Sequence, residues 1–166
     1  MSIILIGMRG AGKSTIGRLL AETMNWAFLD LDDVLEEKTR RKINDIVAQD
    51  GWEAFRQIEL DVLAKSLSSN GQQYVIACGG GLVETGAARD VLKRYMADGG
   101  HVVWANRDIR EVFSYLRKDE TRPALVDDLE EVWSRREPWF RVCSNILVSS
   151  SSAHSAVAEI LETRQR

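Results

Sequence analysis

Apolar runs alternate with amphipathic stretches from one end of the chain to the other. "IILI" (3–6), "WAFL" (26–29), "YVIA" (74–77), "HVVWA" (101–105) and "NILV" (145–148) are short and nearly continuous in apolar character, the pattern of strands buried on both faces. Between them the spacing turns helical: Phe55, Ile58, Val62 and Leu63 predict a helix from Trp52 to about Leu67. Strands separated by helices predict an α/β fold whose parallel sheet is covered on both sides. Two stretches break the alternation. "LRKDETRPALVDDLE" (116–130) is charged and lacks a long apolar run, so it reads as a surface excursion. "SSSSAHS" (149–155) reads as a loop before a final helix. No internal repeat is visible.

Composition narrows the class. With 166 residues, 45% of them hydrophobic, the chain has the size of one domain, residues 1–166, and can bury a core. No run of about 18 apolar residues occurs, so no membrane-spanning segment is expected, and the N-terminus lacks the basic region of a signal peptide. The net charge is −3 with no basic block, which argues against nucleic-acid binding. Cys78 and Cys143 are too few for a disulfide framework, and a cytoplasmic location is expected.

The chemistry begins at "GMRGAGKST" (7–15), which fits G-x-x-x-x-G-K-[ST] with Gly7, Gly12, Lys13 and Ser14. It follows an apolar strand and opens a helical pattern, the context in which such a loop cradles phosphate. Amides around Gly10, Ala11, Gly12 and Thr15 surround the anion, Lys13 reaches the β- and γ-phosphates, and the Ser14 hydroxyl ligates Mg²⁺. The chain is therefore expected to bind a nucleoside triphosphate. The second strand ends in "FLDLDD" (28–33), where Asp30 and Asp32 are two apart and point to one side if extended. One carboxylate there holds a water on Mg²⁺ and the other accepts a proton from an attacking hydroxyl; the competing reading, an acid-rich helix N-terminus, yields to it beside a phosphate loop.

Three further features are ambiguous taken singly. Arg56 and Glu59 at i and i+3 fit an exposed ion pair and a working pair equally well. "CGGGL" (78–82) leaves bare backbone at a strand end, at Gly79, Gly80 and Gly81, where either a ligand or a flexible turn removes the need for side chains. Arg122 in the charged excursion and Arg136 in "RREPWF" (135–140) are each open to a phosphate-closing or a packing role. The tryptophans read as core or rim residues rather than a stacking platform.

Taken in order, "GMRGAGKST", "DLD" (30–32), "FRQIE" (55–59), "GGG" (79–81), "RP" (122–123) and "REP" (136–138) resemble the shikimate kinase family across nearly the whole chain. The phrases "GWEAFR", "CGGGLVET", "TRPA" and "RREPWF" resemble its fungal form, the kinase domain of a pentafunctional aromatic-pathway enzyme. The resemblance implies a P-loop fold like that of the nucleoside monophosphate kinases: three layers, a sheet ordered 2-3-1-4-5, a lid near 112–126 and a substrate-binding helical region near 31–64. It implies ATP as co-substrate, Mg²⁺ as cofactor and shikimate as acceptor. Lys13 and the loop amides would hold phosphates, Ser14 and Asp30 the metal, and Asp32 the acceptor hydroxyl. Arg56 and Arg136 would grip the shikimate carboxylate with Glu59 holding Arg56, Gly79–Gly81 would line the acceptor site, and Arg122 would be the lid arginine. Such a domain would act as a monomer when isolated, or be joined covalently to other pathway domains.

The sequence departs from that family at several points. "TRRKINDI" (39–46) has no glycine and carries Lys42 where a hydroxyl residue is usual; Phe140 replaces a tyrosine; and the serine-rich loop, which would lie near adenine, matches poorly in residue type. Arg117 is the candidate for a second nucleotide-binding arginine. Two rivals stand beside the main reading: a kinase for another small hydroxy acid such as gluconate, and a non-catalytic regulator related to fungal quinate-pathway repressors.

Overall fold

The computed structural model describes residues 1–68, 71–118 and 129–164. Five strands form one parallel sheet: β1 (Ile3–Ile6), β2 (Ala27–Asp30), β3 (Tyr74–Ala77), β4 (His101–Ala105) and β5 (Ile146–Val148). Their spatial order is β2-β3-β1-β4-β5, with Ile4 opposite Ile76 on one side and Val102 on the other. The second strand starts one residue later than its apolar run suggests, because Trp26 closes the turn after the preceding helix by donating its N–H to the Ala21 carbonyl (2.9 Å).

Alternation along β1 builds two cores. Ile3 and Leu5 face one layer, where Ile16 and Leu20 of helix α1 (Lys13–Met24) and Val157 and Ile160 of helix α7 (Ala153–Arg164) pack. Ile4 and Ile6 face the other, as side-chain period two requires. That second layer is built from α2 (Leu31–Thr39), α3 (Ile43–Leu67), α4 (Gly86–Ala97), α5 (Ile109–Leu116) and α6 (Leu129–Val142). A sheet buried on both faces explains why its strands lack polar alternation.

Local chemistry sets the element ends. α3 is interrupted at Gly51, whose φ of 85° is left-handed, so the helix expected from Trp52 is the second limb of a broken one. The first limb starts at Ile43 without a hydroxyl cap. Instead Glu36 reaches across from α2, accepting from the Ile43 N–H (3.0 Å) and from Lys42 Nζ (2.7 Å). The unusual Lys42 is thus paired, and the helix end is satisfied by a carboxylate, which its partial positive charge favours. The serine loop is shorter than its sequence suggests: α7 begins at Ala153, with Ser152 Oγ accepting from the Ser155 N–H (3.1 Å). Phe140 is buried and stacks on Trp104 with ring centroids 6.0 Å apart, a place where a hydroxyl would need a partner. Cys78 and Cys143 are both free and buried, and no helix among the described residues is long and apolar enough to cross a membrane.

Candidate active site

The loops after β1, β2, β3 and β4 open at the same edge of the sheet, the carboxyl edge where open α/β folds bind ligands. They surround a cleft of about 840 Å³ that takes in Gly10, Gly12, Lys13, Ser14, Asp30, Asp32, Arg56, Glu59, Gly79–Gly81 and Arg136. Residues more than a hundred positions apart in the chain therefore share one cavity.

On one side lies the phosphate loop. Gly12 caps α1 at φ 89°, a left-handed conformation that favours glycine. The buried Lys13 side chain folds back along the loop, with Nζ donating to the carbonyls of Gly7 (3.0 Å) and Met8 (2.8 Å). Burial pulls its pKa down to about 8, against the attraction of Asp32, Cys78 and Asp30. Ser14 Oγ donates to Asp30 Oδ2 at 2.7 Å. Asp30 and Asp32 do not share an extended segment, as the sequence suggested. Asp30 ends β2 and caps α2, its Oδ1 accepting from the Asp32 N–H (3.2 Å), while Asp32 sits in the first helical turn. Both still line the cleft, so the acidic helix start and the site-facing pair are one feature.

On the other side the Arg56–Glu59 pair is not an exposed one. Glu59 is 0% exposed and its Oε2 accepts from Arg56 Nη1 at 2.7 Å. Burial pushes the Glu59 carboxyl up, and Arg56 opposes that shift. Its other oxygen, Oε1, makes no hydrogen bond among the described residues. Arg56 also lies over the rings of Phe55 (5.0 Å) and Trp52 (5.4 Å). Arg136 is 5% exposed, and its Nε donates to Glu84 Oε1 at 3.0 Å. Burial lowers the Arg136 pKa while Glu84 raises it.

Each glycine of the triplet faces a different group. A Cβ on Gly79 would run into Glu59 Oε1 and lie 3.3 Å from Asp32 Oδ1. On Gly80 it would stand 2.8 Å from the backbone nitrogen of Arg9, in the phosphate loop. On Gly81 it would overlap Arg56 Nη2 and lie 3.1 Å from Arg136 Nη2. Bare backbone is thus required first by the surrounding side chains and backbone: the triplet wedges between the phosphate loop and Arg56 with Arg136.

Other residues escaped sequence reasoning. Glu84, one turn beyond the glycines, lies within ion-pair reach of both Arg56 and Arg136; no local pattern marks it. Arg9, Arg107 and Tyr115 also line the cleft, as does Trp52, which is 46% exposed. Trp104, by contrast, is a core residue. Arg117 caps the end of α5 and is not among the residues lining the cleft. Arg122 and most of the lid expected near 112–126 lie outside the described residues.

No group of three or more His, Cys, Asp or Glu residues is arranged for a metal among the described residues. A hydroxyl and a carboxylate side by side, at Ser14 and Asp30, are nonetheless the sparse donor set that Mg²⁺ takes when phosphate and water fill its other positions.

The shikimate kinase family model matches residues 9–165. Pentafunctional AROM polypeptides 1 and 2 of Lodderomyces elongisporus are each 48% identical over 144 residues, 87% of this chain. The chain spans about 9% of the length of those relatives. A structure of shikimate kinase from Acinetobacter baumannii in complex with shikimate is 31% identical, with a TM-score of 0.86 over 98% of this chain and 91% of that one. A gluconokinase from Sinorhizobium meliloti, at 18% identity and a TM-score of 0.65 over 99% and 91%, shares the fold.

Proposed function

The chain belongs to the shikimate kinase family, and from that premise we propose that it transfers the γ-phosphoryl group of ATP to the 3-hydroxyl of shikimate. The products are shikimate 3-phosphate and ADP. The observation that carries the reading is the pairing of Arg56 and Arg136 around Gly81, in the same cleft as Lys13 and Ser14. Two guanidiniums, one buried and one half-buried, suit a carboxylate that binds but does not react, and the phosphate loop suits the donor.

In this reading Lys13 leaves the Gly7 and Met8 carbonyls for the β- and γ-phosphates, supported by the amides of Gly10–Thr15. Ser14 and Asp30 would hold Mg²⁺, which would supply neutralising charge at the phosphates. Arg56 and Arg136 grip the carboxylate, Glu59 fixes Arg56, and Gly79–Gly81 form the wall between donor and acceptor. The acceptor hydroxyl lies by Asp32 as its new O–P bond forms, and its proton passes to that carboxylate while the bond to ADP breaks. Positioning and charge stabilisation suffice, with no covalent enzyme intermediate. Arg122, outside the described residues, is assigned to the phosphates in the same reading, and exclusion of water, which otherwise competes as acceptor, favours transfer to shikimate. Residues 31–64 serve as the acceptor-binding region of a single domain, which is cytoplasmic, monomeric when isolated and joined to other pathway domains in its relatives.

A coupled ADP-release assay with shikimate, quinate and gluconate tests this. Mg-ATP turnover should require shikimate. Turnover with gluconate alone would favour the neighbouring kinase reading, and shikimate binding without turnover would favour a regulator.

A further inference from the structure

We propose that Glu84 is the positioning residue of the acceptor site, holding Arg136 and its neighbours so that their guanidinium groups converge on Gly81. The assignment rests on the function proposed above and adds a residue to it.

Glu84 is placed rigidly. It ends the short 3-10 turn Leu82–Glu84 that follows the glycines, and its N–H donates to the Gly81 carbonyl (3.0 Å). Arg89 Nη1 clamps the carbonyls of Val83 (2.7 Å) and Glu84 (2.9 Å) from α4. From that fixed backbone, Glu84 Oε1 accepts from Arg136 Nε at 3.0 Å and from Arg135 Nε and Nη2 at 3.0 and 2.7 Å. Oε2 lies 3.9 Å from Arg56 Nη2. Engaging Arg136 through Nε fixes one edge of its planar fork and leaves Nη2 at the Gly81 surface.

Charge makes the same point. Arg56, Arg135 and Arg136 crowd one corner, and the first and second each disfavour the charged form of the third. Glu59 is ion-paired to Arg56, and Arg136 also favours its charged form. Glu84 gives Arg136 a carboxylate at 3.0 Å and shares Arg135 with Glu131, which lies 3.8 Å from Arg135 Nη1. The carboxyl of Glu84 is itself held below its ordinary range: burial pushes it up, and hydrogen bonds from Arg136 and Arg135 outweigh that.

The test compares Glu84→Ala and the isosteric Glu84→Gln with wild type in the 166-residue chain. Steady-state kinetics varies each substrate, and calorimetry titrates shikimate and benzoate without ATP. Glu84→Ala should raise the shikimate KM about tenfold or more, leaving kcat and the ATP KM within about twofold. Glu84→Gln keeps an oxygen that accepts from Arg136 Nε, so its loss should be smaller. A shikimate KM within about twofold of wild type in Glu84→Ala, a parallel rise in both KM values, or equal damage in the two variants overturns the positioning role. Absence of wild-type turnover would refute the proposed function separately. The benzoate titration still reports on Glu84 in that case: weaker binding to Glu84→Ala supports it, and unchanged or undetectable binding to both proteins overturns it.

Discussion

Gly81→Ala is a steric probe aimed at one pair of side chains. Gly81 has φ −103° and ψ 1°, a conformation alanine adopts without strain, so the substitution acts through its methyl group. That methyl would lie 2.7 Å from Arg56 Cζ, with Nη2 closer still, and 3.1 Å from Arg136 Nη2. Ordinary carbon contacts need about 3.5–4.0 Å, so the Arg56 guanidinium must retreat by about 1 Å. The obstacle is the end of a flexible side chain rather than backbone, so the fold should tolerate it. Arg56 cannot move freely, however, because Nη1 is tied to the buried Glu59 at 2.7 Å. Displacements of about 1 Å in a positioned site cost up to about 100-fold. The expected result is a shikimate KM raised about 10- to 100-fold, with the ATP KM within about twofold and the melting temperature nearly unchanged. Initial rates with each substrate varied, together with a thermal melt, measure all three. An unchanged shikimate KM in folded protein would refute the claim that Arg56 acts from the position next to Gly81.

Gly80→Ala should behave in the opposite way: its methyl presses on the backbone nitrogen of Arg9 at 2.8 Å, so the ATP KM should rise more than the shikimate KM and stability should fall by about 1–3 kcal/mol; a purely shikimate-side defect would contradict this. Arg136→Ala should raise the shikimate KM about 10- to 100-fold, the value of about 1.5–3 kcal/mol for charged hydrogen bonds, and a KM rise confined to ATP would exclude the assigned role. Lys13, at about 8 rather than 10.5 in the free protein, is charged below pH 8 and sheds its proton above it. Phosphate binding must restore that proton, so the ATP KM should be flat below about pH 8 and rise up to about tenfold per unit above it; a flat profile from pH 7 to about 10 would refute the shift. The sign for stability is opposite: between these two values the unfolded chain holds more protons, so unfolding becomes harder as pH rises.

What the sequence revealed follows the range of the interactions involved. The phosphate loop was legible because all its parts lie within nine residues and need no tertiary partner. The strands were legible because burial on both faces leaves unbroken apolar runs. The sheet order 2-3-1-4-5 was implied by resemblance, and the strand pairing agrees with it. Arg56 and Glu59 were visible as a pair, but the burial that distinguishes it from a surface pair comes from packing of α3 against the glycine turn. Asp30 and Asp32 were found for a geometry they do not adopt, because a helix starts between them. Glu84 went unseen because its partners, Arg56 and Arg136, lie 28 and 52 positions away. The glycine triplet was read as room for a ligand. Its closest demands come from Glu59, the phosphate loop and Arg56, contacts that only the folded chain brings together.

Direct passage of the γ-phosphoryl group to shikimate in this cleft is open to direct observation. Phosphorus-31 NMR of a reaction with Mg-ATP and shikimate follows that group atom by atom. ADP and one new phosphomonoester on the 3-hydroxyl of shikimate are expected, formed in equal amounts and only when both substrates are present. ATP left intact by folded protein, or its γ-phosphate released solely as inorganic phosphate, would contradict direct transfer.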